Sequence, residues 1–219
     1  MRATPSVAPP GFWQQVRDSC NQFGALLIFD EIPTGLGKTG KMFSCQHDNV
    51  TPDILVLGKA LGGGVLPMAA MLTRENLDVC HNLASGHYTH EKNPVTATAA
   101  LATLDIIRDE GLVDNAAGMG ELALAGLREL QQRHELIGEV RGRGCLWGVE
   151  LVLDRVTKEP AYDVAEQVLY ASLRRGLSFK VMSGNVLTLT PPLVITEGHI
   201  EQALTILDEA LAEVEQHQS

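Results

Sequence analysis

The chain has 219 residues, 45% of them hydrophobic, and its 27 acidic against 17 basic side chains give a net charge of −10. This suits one large or two small globular domains with a real core, and acidity without any basic run argues against nucleic-acid and membrane-surface partners. No apolar stretch approaches the roughly 20 residues of a membrane helix, and Met1-Arg2-Ala3-Thr4-Pro5 lacks the apolar segment of a signal peptide. Cys20, Cys45, Cys80 and Cys145 are far apart and fit no metal-ligand spacing. Free thiols in a reducing cytoplasm, and no metal site, are therefore expected.

Pro9-Pro10-Gly11 opens a helix in which Phe12, Val16, Cys20 and Phe23 recur at helical spacing, and Gly24 stops it. Gly24 to Phe29 is a continuous apolar run that ends on Asp30-Glu31. A second run, Ile54-Leu55-Val56-Leu57, ends on Gly58-Lys59 and is followed by Ala60-Leu61-Gly62-Gly63-Gly64. Such runs, bounded by glycine and charge, fit parallel strands buried on both faces. Between them, Ile32 to Pro52 reads as a long functional loop, and a third apolar run covers Met68 to Leu72. Pro94 begins an alanine-rich helix reaching about Asp109, and a second long helix carries Leu112, Ala116, Met119, Ala123, Leu127 and Leu130 on one face. The pattern then changes to α+β. Strand-like residues run from Cys145 to Leu153, and a helix runs from Val164 to Arg175 with an Asp163/Glu166 capping box and Gly176 as its stop. An extended stretch covers Leu177 to Leu189, and the last helix presents Ile200, Leu204, Leu207, Leu211 and Val214. The domain change falls near residue 110, giving domains 1–110 and 111–219.

In open α/β sheets, ligands sit beyond the carboxyl ends of the strands. Asp30 and Lys59 are thus offered to one crevice, which points to a ligand that needs both. Pyridoxal phosphate (PLP) is such a ligand: its aldehyde forms a Schiff base with a lysine, and its ring nitrogen stays protonated beside a carboxylate. The plainer alternative is a solvated strand-end aspartate and a surface lysine in a weak ion pair. Glycines just after Lys59 favour the ligand, because they let the backbone approach a flat ring or a phosphate.

Two other motifs lead nowhere. Gly35-Leu36-Gly37-Lys38-Thr39-Gly40 spells the dinucleotide fingerprint. That fingerprint must link a strand directly to a helix, whereas Ile32-Pro33-Thr34 intervene and no helical period follows. Gly37-Lys38-Thr39 also mimics a Walker-A ending, but the required glycine five residues earlier is Ile32, and the acidic strand comes first instead of later.

Three stretches, taken together, resemble the class III aminotransferases: Asp30 to Gly40, Pro52 to Gly64, and Asn93-Pro94. The similarity runs from about Pro9 to Val214 and implies an α/β chain of PLP fold type I. Its content would be the C-terminal half of such an enzyme: part of the large domain, with a mostly parallel sheet, plus the small C-terminal α+β domain. By this resemblance Lys59 forms the Schiff base and shuttles the proton at the substrate carbon, Asp30 pairs with the pyridine nitrogen, and Ile32 packs against the ring face. Thr89 matches a threonine that reaches the cofactor phosphate of the neighbouring subunit, which implies a homodimer. Gly142-Arg143-Gly144 and Gly148-Val149-Glu150-Leu151 match the opening of the small domain. The implied reaction is transfer of an amino group from an amine or amino acid to a 2-oxo acid. The alternatives are an ammonia- or phospho-lyase acting on a phosphonate or phosphorylated amine, for whose anionic group His87, His90 and Lys92 are available, and a non-catalytic fragment that only dimerises.

Three departures stand out. Pro33 replaces a common glutamine, His90-Glu91-Lys92 replaces Phe-Gly-Gly, and Thr188 stands where carboxylate-specific relatives carry an arginine. Relatives are also about twice as long, and their first half supplies a phosphate-binding loop and an aromatic residue stacked on the ring. The chain alone is therefore expected to turn over little or nothing.

Overall fold

The computed structural model describes residues 5–80, 82–83 and 93–216 and divides the chain into two compact units. One runs Ala8–Val113; the other takes Asp114 onward together with the described residues before Ala8.

In the first unit, helix α1 (Phe12–Phe23) starts after Gly11 and ends at Gly24, whose left-handed backbone (φ 66°) returns its N–H to the Cys20 carbonyl. Its inward face is not the Phe12/Phe23 face that the spacing suggests, since these rings are 43% and 77% exposed. Trp13, Val16, Arg17 and Cys20 are the half-buried positions. The Trp13 ring packs 4.8 Å from that of Phe29, and Arg17 pairs with the buried Asp53 at 2.7 Å. Those two contacts set the roll of the helix.

Strand β1 (Ile28–Asp30) pairs in parallel with β2 (Ile54–Leu57), aligning Ile28 with Ile54 and Asp30 with Val56. Strand β3 (Ala70–Thr73) continues the sheet in the order β1-β2-β3 but runs antiparallel, with Met71 opposite Val56. The first pair is parallel as the apolar runs suggest, while the third run makes this part of the sheet mixed. Burial on both faces does not hold. Leu27, Phe29, Leu55 and Leu57 are buried, whereas Ile28 and Met71, on the opposite face, are 55% and 67% exposed. Asp53 fastens the strand starts by accepting the Leu27 N–H at 2.8 Å and pairing with Arg17 and Arg74. Helix α2 (Pro94–Asp109) has Pro94 in its first turn and an Asn93 cap that accepts the Val95 N–H at 2.9 Å.

The second unit contains α3 (Leu112–Arg133, nearly all of it), β4 (Ile137–Arg143), β5 (Leu146–Asp154), β6 (Glu159–Pro160), α4 (Tyr162–Arg174), β7 (Lys180–Met182), β8 (Val186–Leu189) and α5 (Glu197–Gln216). The strands form an antiparallel sheet in the order β4-β5-β8-β7, with β6 alongside β5. Leu127 and Leu130 of α3, Val149 and Leu151 of β5, Val168 of α4 and Leu207 and Leu211 of α5 share one core. Each large aliphatic side chain buried there contributes about 1.5–3 kcal/mol. The apolar spacings of α3 and α5 both lie on this core, with Met119 and Leu204 packed at its margin. His134, buried after α3, has its ring nitrogens 2.8 Å from Glu215 and 2.6 Å from Asp208, which ties the end of α3 to α5.

Three local expectations change. β4 is a strand that sequence reading passes over, because Gly138 and Gly142 and the charges of Glu139, Arg141 and Arg143 mask its period. The stretch 177–189 is no single extended segment: Ser183 (φ 53°) and Gly184 (φ 87°) form the positive-φ turn of a β7–β8 hairpin. Helix α4 begins at Tyr162 after Ala161, so Asp163 lies in its first turn instead of capping it. Gly176 does follow as the left-handed stop (φ 95°).

Gly120 makes a sharp test of the packing in this unit. Alanine in a helix interior is ordinarily favoured over glycine by about 1 kcal/mol. A Cβ here would stand 2.5 Å from the Gly144 carbonyl oxygen and 2.6 Å from its Cα. Gly120→Ala is expected to destabilise the protein by about 1–3 kcal/mol, read as a lower urea midpoint. A raised midpoint would contradict the contact.

Candidate active site

The parallel pairing of β1 and β2 carries the site. Asp30 is the last residue of β1, and its ladder partner Val56 lies three residues before Lys59. The two side chains therefore arise from the carboxyl ends of neighbouring strands, which stand about 4.8 Å apart in a sheet. Both are exposed, and Asp30 Oδ1 accepts the Ile32 N–H at 3.1 Å. Ile32 is half-buried and reaches over the turn after β2: a Cβ on Gly58 would lie 3.5 Å from both of its γ carbons. Lys59, Asp30 and Ile32 are thus gathered at one end of one strand pair. Thr89 lies outside the described residues, as do His87, His90 and Lys92.

Lys59 itself has φ 48°, a left-handed conformation that costs a residue with a Cβ about 1–2 kcal/mol. Strain of this kind persists where surrounding structure imposes it and is concentrated at functional sites. The residues after it make one 3₁₀ turn, Lys59–Gly62, followed by Gly63 (φ 70°) and Gly64 (φ 73°). A Cβ on Gly63 would stand 3.1 Å from Thr103 Oγ1, so α2 packs against the glycine turn.

Asp30 and its neighbour Glu31 diverge, as successive residues in a strand must. Glu31 is only 2% exposed. Its Oε2 accepts the Thr34 hydroxyl and the Ser44 N–H, each at 2.9 Å. Its Oε1 accepts the Ser44 hydroxyl at 2.7 Å and the Cys45 N–H at 2.9 Å. Burial, with the Glu31 carboxylate beside it, pushes the Cys45 thiol up to about 11. The loop between the strands is therefore compact. Within it Thr39 is buried with His47 Nε2 3.0 Å from its carbonyl, and the 3₁₀ turn Ser44–Asp48 follows where a dinucleotide site would need a long helix.

The groups present fit one end of pyridoxal phosphate. A primary amine on a glycine-flanked turn suits its aldehyde, a carboxylate with room on its solvent side suits its ring nitrogen, and a branched aliphatic side chain between them suits a ring face. These groups sit on part of a type I PLP fold. The profile of the family "Aminotransferase class-III" matches residues 5–211, and the chain belongs to that family. The family's cofactor is pyridoxal phosphate.

The chain is 42% identical to an (R)-1-hydroxy-2-aminoethylphosphonate ammonia-lyase of Vibrio splendidus, over 95% of this chain and 43% of that protein. It is 37% identical to a taurine–pyruvate aminotransferase of Bilophila wadsworthia, over 96% of this chain and 49% of that protein. Among solved structures, an amine transaminase from an uncultivated Pseudomonas species, in its PLP-bound form, superposes with a TM-score of 0.90 at 32% identity, covering 95% of this chain and 49% of that one. The chain spans about half the length of these relatives. No helix among the described residues is long and apolar enough to cross a membrane.

Sequence reading singled out Asp30 but not the part Glu31 plays. The signal was there, since only one of two adjacent strand residues can face the crevice while the other points into the molecule.

Proposed function

We propose that the protein carrying this chain transfers an amino group from an amine or amino acid to a 2-oxo acid, with Lys59 as the lysine that holds the cofactor. The observation that supports this most is the Asp30–Lys59 pair at the carboxyl ends of β1 and β2, in a chain whose family profile is that of an aminotransferase. When bound, PLP supplies an electron sink for negative charge at the substrate carbon. Lys59 supplies the amine and then the base that moves the proton at that carbon. Asp30 keeps a proton on the ring nitrogen, and Ile32 excludes water from one ring face. Thr89 donates its hydroxyl to the cofactor phosphate across a homodimer, a charge-assisted bond worth about 1.5–3 kcal/mol.

By the family resemblance, Thr188 stands where carboxylate-specific relatives carry an arginine. It is a buried residue of β8 whose hydroxyl lies 3.4 Å from the Val186 carbonyl. An arginine grips a carboxylate through two parallel hydrogen bonds, and a threonine offers one neutral donor. Amines, and substrates whose anionic group is not a clamped α-carboxylate, are the preferred class. The second reading, ammonia elimination from an aminoalkylphosphonate, draws on the name of the Vibrio relative. One assay separates the two: with an amine donor, pyruvate and PLP, transamination yields alanine in step with loss of donor, whereas elimination releases ammonia without consuming pyruvate. Ammonia release with no alanine would overturn the proposal.

A further inference from the structure

We infer that Glu31 is a positioning residue: its buried carboxylate holds the β1–loop junction so that Asp30 and Ile32 face the cofactor. The inference rests on the roles assigned to those two residues above.

Every polar group of Glu31 is committed. The backbone N–H donates to the Val56 carbonyl at 2.9 Å, which extends the β1–β2 pairing one residue past Asp30. The carbonyl accepts the Gly35 N–H at 2.8 Å, and the approach is so close that a Cβ on Gly35 would fall 2.9 Å from that oxygen. The carboxylate takes two backbone N–H groups, of Ser44 and Cys45, and two hydroxyls, of Thr34 and Ser44. Each oxygen faces one backbone donor and one hydroxyl. A carboxylate this deeply buried persists only with full compensation, and here three donors from Ser44 and Cys45, far along the loop, and the nearby Thr34 hydroxyl provide it. The far end is thereby pinned beneath the strand. With Glu31 fixed pointing inward, the strand's alternation leaves Asp30 pointing outward. The Ile32 N–H then closes onto Asp30 Oδ1, and the Ile32 side chain lies against Gly58, next to Lys59.

The arrangement also explains why a neutral isostere cannot substitute. In Glu31→Gln one oxygen becomes an NH2 group, and either orientation aims it at a backbone N–H. Two donors then face each other in a buried place, and the clasp opens.

The test needs no bound cofactor. In the unaltered 219-residue chain, the Ile32 amide should respond to its bond with Asp30 by slowed exchange with solvent deuterium, read by NMR. Glu31→Gln should abolish that response, and it should raise the reactivity of the Cys45 thiol at neutral pH by about tenfold or more as burial and the carboxylate are lost. A retained Ile32 response in a variant whose Cys45 has become reactive would overturn the inference, because the loop would then be free while Asp30 stayed in place. Should Glu31→Gln not fold, Thr34→Val removes one donor hydroxyl at constant shape. It should weaken the Ile32 response, and an unchanged response would equally overturn the inference. Mapping of the PLP attachment site on the unaltered chain keeps the two readings apart. Attachment away from Lys59 sinks the proposed function and leaves the NMR result standing as a statement about the loop.

Discussion

Asp30→Asn should slow proton removal from the substrate carbon by about 100-fold or more, on the scale of removing one preorganised electrostatic partner, while leaving Lys59 able to take up the cofactor. The geometry supports this separation of effects. Asp30 ends β1 and Lys59 follows β2, and in the proposed reading the aspartate supplies charge while Lys59 supplies the attachment. Asparagine keeps the shape, and its carbonyl oxygen can still accept the Ile32 N–H that Asp30 accepts at 3.1 Å. What is lost is the negative charge proposed to keep a proton on the ring nitrogen, a change in chemistry with little change in structure. The measurement is exchange of that substrate proton with solvent deuterium, in the assembled enzyme. An unchanged exchange rate, or activity that depends on a divalent metal ligated by Asp30, would contradict the assignment.

The second large effect concerns the 219-residue chain by itself. It should bind PLP about a thousandfold more weakly than relatives of full length, a deficit of about 4 kcal/mol. The chain spans 43% of the Vibrio relative and 49% of the Bilophila one. The family resemblance assigns the own-subunit phosphate loop and the stacking aromatic to the portion this chain does not match. Losing two or three charge-assisted hydrogen bonds to a phosphate accounts for an effect of that size. The first unit also exposes apolar surface, with Val65 at 85%, Met71 at 67%, Leu101 at 63% and Ile28 at 55% exposed. Such surface favours self-association or capture of a complementary chain. A PLP titration followed by absorbance, with sedimentation of the same samples, checks both expectations. Robust turnover of an amine–pyruvate pair by the chain alone would contradict the first and leave the family membership intact.

The strand pair was legible in the sequence because continuous apolar runs that stop on charge have few other meanings. The helices α3 and α5 were legible because a 3.6-residue period over twenty positions is hard to mistake. What the sequence hid has particular physical causes. The roll of α1 depends on Arg17 meeting Asp53, a pairing 36 residues apart that no local period encodes. β4 is disguised by its glycines and by charges such as Arg141, which pairs with Glu139 and Glu150. The direction of β3 depends on how the chain returns after the glycine turn. Glu31 drew no role from the sequence, because adjacency to Asp30 says nothing of which neighbour points inward until the strand is in place.

The central claim is that Lys59 is the residue that holds the cofactor. Borohydride reduction of the protein with PLP, followed by peptide mapping, tests it most directly. The account predicts a pyridoxyl label on Lys59, lost in Lys59→Ala. A label on Lys38 or Lys41 that survives Lys59→Ala would contradict it.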